Sequence, residues 1–501
     1  MTSIPKRLGH IWIGPKPAPV KWMRTWPEKH PGWEYTIYDN DFLVGHDFRL
    51  RRLIDEYIWR GLYAGAQDMM RYEILHRYGG FMADADAICL HPVDELLDRP
   101  RAYTVYDRPE TDRFRGVCPI LACEPGNPFV GAVIDRLAEV EPWELRKAEV
   151  STGNRFLMSM IRRLKPSEEQ LHIWPTHYFV PWQKSDPSKH YDGPDRVYAE
   201  QKWATSTYAY NREGGPGEEV LNGSELAARR RQLLDRLIGA RRQVEAPGRD
   251  ADADVLQRQT LARVASQQTL TGASFRQASA ELGTELEAAV AGPDGPSTRF
   301  HGLHMFRHKQ NHPLGDSKLR SRSAPIRSEI LGWMACARRV LMLGLDTGHL
   351  ATAALEQTPD LRITALDDLK WAREGEVDPP DAGLYVPAAI DWLEARYRHR
   401  FEGRIGTVAA AVGKAALLRD EDDPVDLLLL PDIRARSFAA LCALHGRLPD
   451  RTLILCASST GEAGAEMADR LLLQGMCYRP LARQSFGRGN GSLSVVRLRR
   501  G

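Results

Sequence analysis

Long apolar runs are missing from this chain. No stretch of about eighteen consecutive apolar residues occurs, so nothing in it reads as a membrane-spanning helix. Behind Met1-Thr2-Ser3-Ile4-Pro5-Lys6 there is no apolar core of a secretion signal either. An excess of one charge is also missing. Lys and Arg number 68 against 66 Asp and Glu, a formal net charge of +2, which excludes the broad basic field that nucleic acid binding draws on. Cysteine is scarce and scattered: Cys89, Cys118, Cys123, Cys336, Cys442, Cys456 and Cys477 are odd in number and contain no CxxC pair. Neither a disulfide framework nor a zinc knuckle is indicated. These absences predict a cytoplasmic protein in a reducing compartment, whose association with a membrane would be peripheral.

What is present divides the chain. At 501 residues it exceeds one ordinary core, and two or three units are expected. Residues 1–212 are rich in Trp and Pro, with short apolar runs such as Gly9-His10-Ile11-Trp12-Ile13 and Tyr35-Thr36-Ile37-Tyr38 between helical stretches, the alternation of an α/β unit. The breaker cluster Glu213-Gly214-Gly215-Pro216-Gly217 opens a different composition over 213–298. There Leu226, Leu233, Leu237 and Val244, then Leu256, Leu261 and Val264, recur at helical spacing. This segment reads either as a helical spacer or as an oligomerisation helix joining copies of the chain. Over 299–501, apolar runs at 340–343, 363–366, 425–430, 453–456 and 493–496 alternate with helical stretches, which predicts a doubly wound, mostly parallel sheet.

The densest chemistry lies between Ala66 and Asp86. On a helix, Asp68 and Arg71 share a face, with Tyr72 and Leu75 following. Gly79-Gly80 stops that helix, and Phe81-Met82-Ala83 forms a short strand delivering Asp84 and Asp86 at its end. Carboxylates two apart on an extended segment point to one side and can share a hard cation such as Mg²⁺ or Mn²⁺. Such an ion neutralises a departing diphosphate. The chain contains its own control in Asp250-Ala251-Asp252-Ala253-Asp254, where the same spacing lies in a polar stretch and promises nothing.

The order Ile4-Pro5-Lys6, His10-Ile11-Trp12-Ile13-Gly14, Pro27, Asp68-x-x-Arg71-Tyr72, Tyr78-Gly79-Gly80 and Asp84-x-Asp86 resembles glycosyltransferase family 32, the group whose sugar-binding region contains a DXD motif. A more distant likeness extends to the glucosylating domains of large clostridial toxins and to yeast initiating mannosyltransferases. The resemblance implies a GT-A fold, dependence on Mn²⁺ or Mg²⁺, and retaining transfer of a hexose from a UDP- or GDP-sugar to a glycan or small glycoside acceptor, in the building of surface polysaccharide. It further implies that Trp12 stacks on the base, that Asp68 and Arg71 hold the sugar hydroxyls, that Asp84 meets sugar or ribose and metal, and that Asp86 ligates the metal directly. Tyr72 and Gly80 fall to the donor by the same reasoning. The family closes its catalytic domain with a His-x-Trp element. Here Tyr198-Ala199-Glu200-Gln201-Lys202-Trp203 stands in its place, with Gln201 where His is usual. Gln201 would then offer a carbonyl oxygen to the metal, Lys202 would bind phosphate, and Trp203 would cover the donor. Thr152-Gly153-Asn154 stands where the family tends to show Thr-Gly-Pro, on the acceptor side.

In the C-terminal unit, Val340-Leu341-Met342-Leu343-Gly344-Leu345-Asp346-Thr347-Gly348 is a strand running into a glycine-bearing turn, and a second strand ends in Leu366-Asp367-Asp368. It resembles a class I S-adenosylmethionine-dependent methyltransferase, which implies a cofactor site at Gly344, Asp346, Gly348 and Asp367. Met342 stands where an acid is usual, and Asp346 replaces the middle glycine. Two readings follow: a methyltransferase accompanying sugar transfer, or a degenerate Rossmann-like domain kept for packing. A wider alternative makes the chain a methyltransferase or scaffold whose N-terminal unit only binds nucleotide sugar. His301, His304, His308 and His312 lie among Arg307, Lys309, Lys318, Arg320 and Arg322 and read as a solvated basic segment rather than a zinc site.

Overall fold

The computed structural model describes residues 4–108, 116–183, 186–203, 217, 219–242, 255–263, 265–266, 272–292, 295–296, 324–345, 347–369, 382–408, 424–431, 437–449, 452–458, 463–486 and 491–498. Asp346, the histidines from His301 to His312 and the Asp250–Asp254 run lie outside them. The chain packs as two units, Met1–Ala240 and Arg241–Gly501. Both are α/β, as the alternation predicts.

The first unit is built on a six-stranded sheet. Its strands are β1 (Arg7–Ile11), β2 (Glu34–Tyr38), β3 (Gly80–Ala83), β5 (Ala102–Val105), β6 (Ala122–Cys123) and β7 (Leu171–Trp174), in the order β2-β1-β3-β6-β5-β7. Short β4 (Ala87–Cys89) lies outside this sheet and pairs with β8 (Ala199–Gln201). Strands β1, β2 and β3 run parallel, β6 is antiparallel to both neighbours, and β7 is parallel to β5. The carboxyl ends of β1, β2, β3, β5 and β7 therefore gather at one edge, where open α/β sheets bind ligands. Phe81 and Met82, adjacent on β3 and so on opposite faces, are 1% and 2% exposed, the burial on both faces that makes such strands apolar throughout.

Helix α1 (Tyr63–Tyr78) leads into β3, and two glycines make that junction. Gly79 has φ +68° and its N–H bonds Leu75 O at 2.8 Å. Gly80 has φ +107°, and a Cβ there would lie 2.5 Å from Arg7 O. Only glycine tolerates both the reversal and the close approach of β3 to β1. Helix α2 (Asn154–Leu164) and helix α3 (Gly223–Arg242) complete the parts that matter for the site. Helix α3 begins inside the stretch read as a spacer, and its Leu233, Leu234, Leu237 and Ile238 are all buried. Leu256 and Leu261, further along that stretch, are 37% and 67% exposed.

The second unit carries a seven-stranded sheet. Its strands are β9 (Arg339–Leu343), β10 (Arg362–Asp367), β11 (Phe401–Ile405), β12 (Leu427–Leu430), β13 (Leu453–Ser458), β14 (Cys477–Ser485) and β15 (Ser492–Leu498), ordered β11-β10-β9-β12-β13-β15-β14. The first five are parallel, and β15 is antiparallel to both β13 and β14. This is the doubly wound sheet the spacing predicts, with its order reversing beside β9. Helices α4 (Ala273–Val290), α5 (His349–Gln357) and α6 (Ala382–Tyr397) cover it, and Leu282, Leu286, Ala389 and Leu393 lie in its core. Among the described residues no helix is long and apolar enough to cross a membrane.

Candidate active site

Asp84 leaves β3 at the gathered strand ends, but the run from Asp84 to Asp86 is a turn. Ala87 N bonds Asp84 O at 3.1 Å, closing it. The expectation of an extended segment with both side chains on one face is corrected here, because the chain must reverse to enter β4. What holds the two carboxylates is their different partners. Arg71 Nη2 donates to Asp84 Oδ1 at 2.5 Å. Gln201 Nε2 donates to Asp86 Oδ1 at 2.7 Å, and Lys202 N donates to Asp86 O at 2.7 Å. The β4–β8 pairing puts Gln201 opposite Ala87, so the closing segment is aligned directly on the carboxylate turn.

Arg71 is 7% exposed, and its Nε and Nη1 are buried without a protein partner. Buried donors without a protein partner are uncommon in native folds and can be answered by a ligand or by water. One turn earlier on α1, Asp68 Oδ2 accepts from Thr152 Oγ1 at 2.9 Å. Burial pushes its carboxyl up to about 7, against the opposing pull of Thr152 and of Arg71. Tyr72 is fully buried and its hydroxyl donates to Thr152 O at 2.6 Å, so it reaches the site only by holding Thr152. Gly80 is likewise buried against β1. Both were expected to touch the donor. Their positions make them supports instead, because close packing of α1 and β3 leaves neither a face to the crevice.

Trp12 follows β1, its main-chain N–H bonding Tyr38 O at 3.0 Å and its indole N–H bonding Lys16 O at 2.8 Å. Lys202 Nζ donates to Glu200 Oε1 at 2.7 Å, which also accepts from Trp182 Nε1 at 3.1 Å. Trp203 has φ +54°, uncommon for a bulky residue, and its ring meets Trp182 edge to face.

Two residues without a sequence signal, Asp107 and Cys118, belong to the same place. Asp107, just beyond β5, accepts from Gly116 N at 2.7 Å and from Asn154 Nδ2 at 2.9 Å. The Thr152-Gly153-Asn154 segment thus ties Asp68 to Asp107. Cys118 lies among Asp84, Asp107, Arg71 and Asp68, and burial first, then these carboxylates, push its thiol far up, which leaves it inert as a nucleophile. Only their convergence in space identifies these residues; in sequence they are isolated. His10, buried between Trp26 and Tyr35, is driven down to about 3 by burial first and Arg71 second, and stays neutral.

The recess therefore sets two carboxylates, Asp84 and Asp107, against one guanidinium, with Asp68 raised to about 7 beside them, an imbalance that favours a cation. Among the described residues no three His, Cys, Asp or Glu side chains stand close enough to hold an ion by themselves. Asp84 and Asp86 suit a hard ion completed by phosphate oxygens and water, the usual habit of Mg²⁺.

In the second unit the carboxylate expected to meet a cofactor is covered. Asp367 ends β10 at 1% exposure, its Oδ2 accepting from Leu345 N at 2.8 Å and its Oδ1 from Leu369 N at 2.9 Å. Gly344 and Gly348 have φ +101° and +76°. A Cβ at Gly348 would meet Leu393 Cδ1 at 3.0 Å, with Ala389 and Leu282 beyond, so this glycine serves helix packing. Asp367 is almost wholly covered, so among the described residues it offers a ribose no open face.

Residues 19–103 match the family model of the glycosyltransferase sugar-binding region containing a DXD motif. Inositol phosphoceramide mannosyltransferase 3 of Schizosaccharomyces pombe is 26% identical over 185 residues, 34% of this chain and 49% of the relative. The chain thus spans about half the length of that curated relative. Among solved structures, the PaToxG glycosyltransferase is 17% identical, with a TM-score of 0.28, over 32% of this chain and 69% of that one. The precorrin-6y C5,15-methyltransferase of Geobacter metallireducens is 15% identical, with a TM-score of 0.25, over 37% of this chain and 94% of that one. Both structural overlaps are too loose to assign a role.

Proposed function

The N-terminal unit carries a glycosyltransferase region of the DXD type, and from that premise we propose that it moves a hexose from a UDP- or GDP-sugar to a glycan or small glycoside acceptor with retention of configuration. The observation that carries this reading is the carboxylate turn itself: Asp84 fastened to Arg71, Asp86 fastened to Gln201, and a buried guanidinium with two donors unanswered. Asp84 and Asp86 would hold Mn²⁺ or Mg²⁺, whose bound form offsets charge on the departing nucleoside diphosphate. Arg71 Nε and Nη1 donate to sugar or phosphate oxygens, and Asp68, steadied by Thr152, accepts from a sugar hydroxyl. Trp12 provides the face on which the base stacks, and Lys202 offers charge to a phosphate. The anomeric C–O bond to the diphosphate breaks, the acceptor oxygen forms the new bond on the same face, and the acceptor proton leaves with the diphosphate side. The relative named above is a mannosyltransferase, which makes mannose the first donor sugar to try. The C-terminal unit enters this reading without a chemical step, because Asp367 is covered where it holds the turn.

The test is a panel of nucleotide sugars, GDP-mannose included, incubated with the full chain and Mn²⁺ and scored for donor hydrolysis. Turnover that EDTA removes supports the proposal. Absence of turnover for every donor, or undiminished turnover in EDTA, sinks it.

A further inference from the structure

Residues 146–165 concentrate cations in a chain whose overall charge is nearly balanced: Arg146, Lys147, Arg155, Arg162, Arg163 and Lys165 stand against one acid, Glu149. Arg155, Ser159, Arg162 and Arg163 recur at i, i+4, i+7 and i+8, so they share one face of helix α2, and all four are exposed. The other face is fastened to the first unit by Leu157 and Met160, both buried. At the end of the helix Leu164 is 42% exposed between Arg163 and Lys165. Pairing sets this face apart. Arg49, Arg136 and Arg196, exposed elsewhere on the first unit, each meet a carboxylate, at 2.5, 2.9 and 2.7 Å. Within 146–165 Arg155 pairs with Glu149 at 2.7 Å, while the side chains of Arg146, Lys147, Arg162, Arg163 and Lys165 make no ion pair or hydrogen bond among the described residues. The acids flanking the stretch are already answered, Glu141 by Arg52, Glu168 by Arg101 and Glu169 by Arg99. Cations in a last turn complement the helix dipole, but Arg146 and Lys147 lie ahead of helix α2 and gain nothing from it.

We propose that the outer face of helix α2 docks on an anionic membrane surface, with Arg162, Arg163 and Lys165 meeting the headgroups and Leu164 entering the boundary beneath them. Long, unpaired cations on a convex helix suit a diffuse sheet of negative charge, where each adds attraction without the fixed geometry that a single buried anion demands. An exposed apolar side chain among them adds burial that an aqueous partner would not give. Helix α2 has committed its main apolar face to Leu157 and Met160, so the attachment is chiefly electrostatic, reversible and weakened by salt. The helix begins at Asn154, whose side chain donates to Asp107 at 2.9 Å, so the docked face and the recess share one rigid element.

The experiment sediments the full chain with vesicles of equal parts phosphatidylserine and phosphatidylcholine, beside vesicles of phosphatidylcholine alone. Wild type is expected to pellet with the anionic vesicles only, and to be released as salt rises from about 0.1 M to about 1 M, where the screening length falls from about 10 Å to about 3 Å. The double variant Arg162→Ala/Arg163→Ala loses two exposed side chains that hold no partner, so its thermal midpoint stays at the wild-type value. Its partitioning is expected to weaken about 30-fold. The charge-matched control Arg338→Ala/Arg398→Ala, at two exposed positions of the second unit, is expected to bind as wild type does. Wild type that ignores anionic vesicles, or two double variants that bind alike, overturns the inference. So does equal retention by a DNA duplex at the same salt, which would make the face a general polyanion surface. Vesicle binding needs no donor, so none of these outcomes depends on the transfer reading or decides it.

Discussion

Two carboxylates stand at strand ends in the two units, and they have opposite fates. Asp84 leaves β3 with one oxygen on a guanidinium that itself has donors to spare. Asp367 leaves β10 with both oxygens on main-chain N–H groups and 1% of its surface exposed. The strand-then-acid pattern is the same. The difference teaches that such an acid can bind a ligand only when the neighbouring main chain leaves it something to bind with. A turn that satisfies itself with the carboxylate converts a candidate site into a structural clasp.

The strongest way to break this comparison is to make one substitution on both sides. Asp86→Asn is expected to lower donor hydrolysis by at least about 100-fold, the scale of losing one essential electrostatic contact, with little change in thermal midpoint. Undiminished hydrolysis in that variant would falsify the assignment of the open site to the first unit. The glycines sharpen the contrast next. Gly80→Ala drives a Cβ to 2.5 Å from Arg7 O at φ +107°, where main chain cannot yield, and should cost several kcal/mol, about 3 or more, and donor turnover with it. Gly348→Ala meets only the end of Leu393 at 3.0 Å and should cost about 1–3 kcal/mol while hydrolysis persists. Chemical denaturation and the hydrolysis assay on both variants separate the two results.

A smaller effect is expected at the clasp itself. Asp367→Asn removes the charge that two amides share and should destabilise the protein by about 1–3 kcal/mol, leaving donor hydrolysis untouched. A loss of hydrolysis instead would mean that the second unit does more than fold. The smallest prediction concerns Asp68, whose carboxyl is raised from 3.8 to about 7, chiefly by burial. The folded protein then holds this proton more tightly than the unfolded chain between those two values. Its contribution to stability is present in full below pH 3.8, declines as pH rises toward 7 and is gone above it. Measured without divalent metal at pH 4.5, 6 and 7.5, the thermal midpoint of wild type should fall relative to Asp68→Asn and then level off. Parallel midpoints across that range would show the carboxyl to be unburdened by its surroundings.

Much of the first site can be read along the chain because it is local. From Asp68 to Asp86 the helix, the glycine stop and the strand follow one another, and each follows from the residues that make it up: helical spacing, the positive φ that only Gly79 and Gly80 accept easily, and an apolar run covered on both faces. The alternation of strands and helices in both units is legible for the same reason, since burial imposes a period on the sequence wherever an element has an inner face.

What tertiary structure alone decided are the meetings across long separations. Gln201 finds Asp86 only because β8 pairs with β4, Asn154 finds Asp107 only because α2 begins beside the end of β5, and Arg236 finds Asp41 only because α3 packs back on the first unit. The same holds for Asp367, whose sequence context promised a ligand and whose oxygens the turn around Leu345 and Leu369 had already taken. Local pattern determines which element a residue belongs to, because propensity and periodicity act over a few positions. Which groups face each other, and whether a carboxylate is left open or consumed, depends on hydrogen-bond partners brought in from elsewhere, and no window of the sequence contains them.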